Sequence, residues 1–254
     1  MKKVFLTLVA ILFVATTAQA KEIRVAVAAN FNGTLEQLAE LYQDTSGHQL
    51  VISSGSTGSL FAQIQNGAPF DVFFAADSRR PQALVADGLA LSESLFTYAQ
   101  GVVVLWSADP NQIQDASASL TQGDYQYLAL ANPRNAPYGA AAQQVLEGLG
   151  IWEQLEAEQR LLRGQNIGQT YSQVASQAAP LGFVALSQIK HPQVDGQGSW
   201  WLPPTDSYDP IVQQAVILET AEDPQLAAEF MAFIRSPQAA AIIRAAGYTP
   251  GEGN

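Results

Sequence analysis

Apolar and polar positions along the chain switch repeatedly between two periods. Ile23 to Ala28 reads as a strand, after which Leu35, Leu38, Ala39, Leu41 and Tyr42 fall at helical spacing until Gly47 ends the helix. The same unit recurs, with strand-like runs at Leu50 to Ser53 and Asp71 to Ala75 and helical spacing at Ser59 to Gln65 and Pro81 to Asp87. Strand-then-helix repeats predict parallel strands with crossover helices. A second set begins at Gly101: strands at Val102 to Trp106, Tyr127 to Leu130 and Gly182 to Leu186, with helices at Gly139 to Leu149 and Tyr171 to Ser176. Between Gln188 and Pro210 the pattern is irregular, around Trp200, Trp201, Pro203 and Pro204. Val212 to Leu218 is again strand-like. Two helices close the chain, Pro224 to Ile234 and Pro237 to Ala246, each with proline at its favoured first position. These elements divide into two α/β lobes, residues 21–100 with 211–254 and residues 101–210. Each lobe is expected to hold a mixed, mostly parallel sheet flanked by helices, with a ligand cleft between the lobes, because sites in open α/β sheets lie beyond the carboxyl ends of strands.

The first 20 residues follow a different rule. Lys2 and Lys3 form a basic head, Val4 to Ala15 is almost wholly apolar, and Ala18-Gln19-Ala20 has the small-x-small pattern of a signal peptidase site. The expectation is export to the periplasm with cleavage after Ala20. The apolar run is shorter than the ~20 residues that span a bilayer, and no later stretch replaces it.

Composition narrows the function. The chain has 254 residues, 23 acidic and 12 basic, with two histidines and no cysteine. Loss of Lys2 and Lys3 with the leader takes the formal net charge from −11 to −13. Such an excess repels nucleic acid, and any anion bound here is held without bulk positive charge. Absence of cysteine excludes disulfides, thiolate metal sites and a cysteine nucleophile, and two histidines leave little material for zinc. No metal-ligating residues and no cofactor are expected.

Four places share one design, in which a strand ends, a short polar or glycine-containing loop follows and a helix begins. They are Ala28 to Phe31, Ser53 to Ser59, Asn132 to Gly139 and Gly164 to Gln169. Each exposes backbone N–H groups at a helix start, where orphan donors and the positive end of the helix dipole coincide. Several such termini converging on one point make an anion site without a cationic side chain. Asn30, Ser56, Thr57 and Tyr138 can add side-chain donors. Any one of these loops could equally be an ordinary N-cap.

In these loops and around them the sequence resembles a known family. Val25 to Phe31, Ser54-Gly55-Ser56-Thr57-Gly58, Asn66 to Phe73, Asn132-Pro133 with Ala136-Pro137-Tyr138-Gly139, Ala179 to Leu186, and Tyr208 with Pro210 to Val216 look like the periplasmic molybdate-binding proteins of molybdate ABC transporters. The resemblance covers essentially the whole chain after the leader, in order. It implies a type II periplasmic-binding-protein fold that closes two lobes on a tetrahedral oxyanion held by neutral donors. Carried over by position, the site uses Asn30 with the Ala29 backbone, Thr57, Tyr138 and the backbone N–H of Ile167. It also implies molybdate or tungstate as ligand, the transporter's permease as partner, and a monomer that performs no chemistry. One branch of that family has Ser at position 30, Ala at 138 and a ligand-contacting Tyr at 185. Here Ala185 cannot donate, and Tyr138 supplies a phenol from another loop, as in the other branch.

Elementary chemistry supports a donor-only site. Molybdate, tungstate and sulfate carry no proton at neutral pH and only accept hydrogen bonds, whereas phosphate usually carries a proton that needs an acceptor. None of the four loops contains Asp or Glu. Choice between molybdate and sulfate is then a matter of cavity size, which makes a sulfate or other oxyanion receptor the nearest alternative. An exported serine hydrolase, the alternative of another class, would need Ser56, His191 and Asp206 together, and the sequence around Ser56 lacks a nucleophile elbow. His48 and His191 read as surface residues. Arg134, inside the third loop, reads as a solvated arginine rather than an anion contact. Arg79 and Arg80 oppose the dipole of the helix they start, with no functional account. Trp200 and Trp201 read as packing for the irregular connection.

Overall fold

The computed structural model describes residues 20–121 and 125–251. Of the expected leader, residues 1–20, all but Ala20 lie outside the described residues. In chain order the first half carries β1 (Glu22–Ala28), α1 (Asn32–Ser46), β2 (Gln49–Gly55), α2 (Thr57–Gln65), β3 (Val72–Phe74), α3 (Arg79–Ala86), a 3₁₀ turn (Ser92–Ser94), β4 (Phe96–Gly101) and β5 (Val103–Ser107). There follow α4 (Ala116–Thr121), β6 (Leu128–Ala131), α5 (Pro137–Gly148), α6 (Trp152–Ala157), β7 (Leu161–Gly164), α7 (Ile167–Ala175), β8 (Leu181–Ala185), α8 (Leu186–Ile189) and β9 (Ser199–Trp201). The chain ends with β10 (Ile211–Ile217), α9 (Pro224–Ile234), α10 (Pro237–Ala245) and β11 (Thr249–Pro250).

The strands form two sheets, one ordered β11-β4-β10-β3-β1-β2 and the other β7-β6-β8-β5-β9. The parallel pairs are β1 with β2 and β3, and β6 with β7 and β8. The remaining pairs, β3-β10, β10-β4, β4-β11, β8-β5 and β5-β9, are antiparallel. Each sheet is thus parallel on one side and antiparallel on the other, less parallel than the repeat suggests. Every antiparallel pair involves a strand that carries the chain between sheets, where β4 runs into β5 and β9 into β10 with no helix between to impose a parallel direction.

Both faces of each sheet are covered. On one face of the first sheet Phe31, Leu35, Leu38, Phe74, Tyr98, Phe230 and Ile234 pack beneath α1, α9 and α10, and on the other Leu60, Ile64, Phe73, Leu84 and Val216 pack beneath α2 and α3. In the second sheet Leu128, Leu130, Tyr138 and Val145 form the core under α5, and Val104, Ala129, Val174 and Val184 the core under α7. Gly47 ends α1 in the left-handed conformation at φ 75°, where its lack of a Cβ avoids strain. Where the sequence is irregular the fold places α8 and β9. Trp201 packs against the second core, whereas Trp200 on the same edge strand is exposed. Among the described residues no single helix is long and apolar enough to cross a membrane. The bent pair α9 and α10 passes such a test together, but Phe230, Ile234 and Ile243 bury its apolar side in the core.

Candidate functional site

The carboxyl ends of β1, β2, β3, β6 and β7 face one another across the two sheets, and the loops that follow them enclose a cavity of about 10 Å³. Its wall is Ala28, Ala29, Asn30, Gly55, Ser56, Thr57, Ala76, Ala136, Pro137, Tyr138 and Ile167. Room on that scale suits about one water-sized centre. The wall contains no acidic and no basic side chain. Three helices, α2, α5 and α7, begin at this wall with Thr57, Pro137 and Ile167, and their first-turn N–H groups have no acceptor within their own helix.

Local chemistry fixes each loop. Phe31 is fully buried, its ring 4.6 Å from Tyr98, 5.5 Å from Tyr248 and 5.9 Å from Phe74, which anchors Asn30 beside it. Ser56 caps α2 by accepting the Ser59 N–H at 3.2 Å, and Asn166 caps α7 by accepting the Gln169 N–H at 2.9 Å. These caps satisfy the N3 donors and leave the N1 groups of Thr57 and Ile167 for another acceptor. The Thr57 hydroxyl oxygen accepts the Ala76 N–H at 3.0 Å, so its own proton remains to be donated. Gln188 steadies the fourth loop: its Nε2 donates to the Ile167 carbonyl at 3.0 Å.

All five residues expected at the site line this cavity. Two of them contribute differently from expectation. The Ala29 N–H donates to the Gly55 carbonyl at 2.9 Å, continuing the β1-β2 pairing, so Ala29 supplies wall rather than a donor. The Asn30 side chain is also engaged within the protein, Nδ2 donating to Gln213 Oε1 at 2.7 Å and to the Tyr248 hydroxyl at 3.1 Å. Burial fixes the protonation of the phenols around them. It holds Tyr138 well above the usual tyrosine range, reinforced by neighbouring Tyr248 and Tyr98, and Tyr248 is pushed up to about 12 by burial against the lowering influence of Ser187 and Asn30. Tyr138 therefore remains a neutral donor across the physiological range.

Ser56, a candidate donor from its loop, lines the wall, whereas Ala76 and the supporting shell of Tyr98, Ser187, Gln213 and Tyr248 were not anticipated from the sequence. For Gln213 a signal exists, because period-two burial through Ile211, Gln213 and Ala215 turns a glutamine inward. Tyr248 and Ser187 carry no such signal, being brought to Asn30 from 218 and 157 residues away.

Several contacts join the lobes around the cavity. Gly58 N–H donates to the Asn135 carbonyl at 2.9 Å, Arg80 Nη2 to the Arg134 carbonyl at 3.2 Å, and Ser187 Oγ to the Asn30 carbonyl at 2.9 Å. Arg80, unexplained from sequence, is buried, paired with Asp77 and directed at the opposite lobe. Arg134 itself is exposed and contributes only its backbone. Ser56, His191 and Asp206 are not assembled: Ser56 caps its helix, while His191 lies against Gly33 beside a separate cavity of 210 Å³. His48 accepts the Lys21 N–H at 3.2 Å. Among the described residues no group of three or more His, Cys, Asp or Glu could hold a metal ion.

Comparison with known proteins agrees with this fold. Residues 23–249 match the family model for bacterial extracellular solute-binding protein. Over 235 residues, 92% of each chain, the sequence is 45% identical to the molybdate-binding protein ModA of Azotobacter vinelandii. It is 42% identical to ModA of Rhodobacter capsulatus, across 92% of this chain and 90% of that one. The solved periplasmic molybdate-binding protein of Azotobacter vinelandii superposes with a TM-score of 0.87 at 48% identity, covering 89% of this chain and 98% of that one. A sulfate-binding protein, SubI of Mycobacterium tuberculosis, shares the fold at a TM-score of 0.72 and 14% identity, over 91% of this chain and 88% of that one.

Proposed function

We infer from the family to which this chain belongs, the bacterial extracellular solute-binding proteins in their molybdate-binding branch, that it captures molybdate for an ABC importer. It is a binding protein of a transport system and not an enzyme. The observation that carries the reading is a cavity walled by helix N-termini, hydroxyls and methyl groups, with no carboxylate and no cation. Such a wall offers donors alone, which matches a dianion that only accepts. Neutral dipoles fixed before the ligand arrives act strongly once closure removes water and lowers the local dielectric.

Residues 21–100 with 211–254 form one lobe and residues 101–210 the other, with cavity residues drawn from both. Thr57 donates through its hydroxyl and backbone, Ile167 through its backbone and Tyr138 through its phenol, while Asn30 acts through its backbone N–H and organises the shell behind it. Tungstate, of the same shape and charge, binds at the same place. The chain acts as a monomer in the periplasm after cleavage following Ala20, and its closed form docks on the transporter's permease. Calorimetric titration of the chain with molybdate, tungstate, sulfate and phosphate tests the assignment. One-to-one binding of molybdate and tungstate without sulfate or phosphate is the expected result. Sulfate binding as tightly as molybdate would overturn the ligand assignment, and silence with all four would overturn the oxyanion reading.

A further inference from the structure

Gln213 lies in the middle of β10, the strand by which the chain returns to the first sheet, and it is fully buried. A buried carboxamide is tolerated where both of its ends are matched. Its partners here belong to the ligand site. Oε1 accepts from Asn30 Nδ2 at 2.7 Å and lies 2.9 Å from the Tyr98 hydroxyl, while Nε2 donates to the Tyr138 hydroxyl oxygen at 3.4 Å. A single side chain thus bridges the loop after β1 in one lobe and the start of α5 in the other.

The backbone is shaped around this bridge. Pairing between β10 and β4 shifts register at Gln213 and Gln214, which oppose Ala99 and Thr97, so Tyr98 is the additional residue of a β-bulge that brings its hydroxyl to Gln213. At the end of β4 a Cβ on Gly101 would stand 2.1 Å from the Tyr138 hydroxyl oxygen and 2.6 Å from Gln213 Nε2, so only glycine leaves room for the pair.

We propose that Gln213 is a positioning residue that sets the polarity of the oxyanion site, holding the Tyr138 phenol as a donor toward the ligand. A phenol can donate its proton or accept another. With the amide donor Nε2 at its oxygen, the Tyr138 lone pair is engaged and its proton is turned away from the carboxamide, toward the neighbouring Tyr248 hydroxyl in this structure and toward a ligand oxygen when one is bound. The acceptor end of the carboxamide is turned the other way, toward Asn30 and Tyr98. A ligand that must place a proton of its own, such as monohydrogen phosphate, then finds no acceptor at this corner. This rests on the reading that the site takes a proton-free oxyanion.

The test is a double-mutant cycle with Gln213→Met and Tyr138→Phe, titrated with molybdate and phosphate alongside thermal melts. Gln213→Met is expected to weaken molybdate roughly tenfold and to narrow the preference for molybdate over phosphate, because the released phenol can turn and accept. The double variant is expected to bind no more weakly than Tyr138→Phe alone, since Gln213 acts through that hydroxyl. Wild-type affinity and preference in Gln213→Met, or a double variant whose loss is the product of the two single losses, would overturn the proposal. Should melts show that Gln213→Met does not fold, Gln213→Glu takes its place. A protonated carboxyl copies the carboxamide, whereas the carboxylate offers the phenol an acceptor. Molybdate affinity of Gln213→Glu should then fall as pH rises from about 6 to 9 while that of the wild type stays level, and the fall should shrink when Tyr138→Phe is added. A level profile in Gln213→Glu, or a fall that Tyr138→Phe leaves unchanged, would overturn it. If the wild-type chain prefers sulfate, the same cycle is read with sulfate, so a wrong ligand and a wrong role for Gln213 give different results.

Discussion

The Gly58 N–H donates to the Asn135 carbonyl at 2.9 Å, fastening the start of α2 in one lobe to the loop before α5 in the other. Both ends of this bond adjoin cavity residues, Thr57 on one side and Ala136 on the other. The approach depends on glycine: a Cβ at position 58 would lie 3.1 Å from the Asn135 Cα and carbonyl oxygen and 3.0 Å from Arg80 Nη2. The two lobes are thus in register within one residue of the cavity wall.

Gly58→Ala should impede closure without disturbing either lobe, because the added methyl meets the opposite lobe and the side chain that reaches across to it. Overpacking of this kind costs about 1–3 kcal/mol. Titration calorimetry should show molybdate binding weakened by that amount, while the melting temperature without ligand stays within about 2 °C of wild type. Unchanged affinity would mean that the Gly58–Asn135 contact is not made in the ligand-bound form.

Thr57→Ala removes a hydroxyl whose oxygen is engaged by the Ala76 N–H at 3.0 Å and whose proton is left to donate at the cavity wall. Loss of one donor to a buried anion, together with the orphaned Ala76 N–H, should weaken binding by about 1–3 kcal/mol. Thr57→Ser should retain most of the affinity. Equal binding by Thr57→Ala and wild type would remove this hydroxyl from the site.

Affinity should be level between about pH 6 and pH 9, because the phenol at the site keeps its proton and no carboxylate or histidine lines the cavity. Stability behaves differently at high pH. Tyr98, Tyr138 and Tyr248 are all raised in the folded chain, chiefly by burial, with Tyr248 at about 12. Above the ordinary tyrosine value near 10 the unfolded chain therefore binds fewer protons than the folded one, and unfolding free energy falls as pH rises. Melting temperature followed from about pH 8 to pH 12 should hold until about pH 10 and then decline. Replacing Tyr248 by Phe should flatten part of that decline.

Asp71 offers a control on stability alone. Its buried carboxylate accepts the Arg24 N–H at 2.6 Å and the Glu222 N–H at 2.9 Å, and pairs with the partly exposed Arg24 guanidinium at 3.2 Å. It therefore ties the start of β3 to β1 and to the turn after β10. Asp71→Ala should lower unfolding free energy by about 1–3 kcal/mol in denaturant titrations, since it orphans two backbone donors. The folded fraction should bind molybdate as wild type does, and a matching loss of affinity would show that this clamp reaches the site.

Much of this architecture was legible in the chain. Apolar spacing predicted α1 up to Gly47 and located α9 and α10 from their prolines, because those patterns reflect one element meeting one core. Elements whose register depends on distant partners were not legible. Strands β4, β7, β9 and β11 gave no signal of their own, and α7 extends four residues before the Tyr171 at which its pattern predicts a start. Helix extension there follows from Asn166, whose cap is recognisable only with its N–H partner in place.

By itself the sequence determined that four strand-to-helix loops would offer donors and no carboxylate, since that follows from residue type, helix polarity and composition. Which donors a ligand can use was decided only by the tertiary structure. The Ala29 N–H is claimed by Gly55 across a parallel pair, and Asn30 Nδ2 by Gln213 and Tyr248, more than 180 residues further on. A hydrogen-bonding group serves a ligand to the extent that folding leaves it without a nearer partner, and that is a property of the assembled neighbours rather than of the residue.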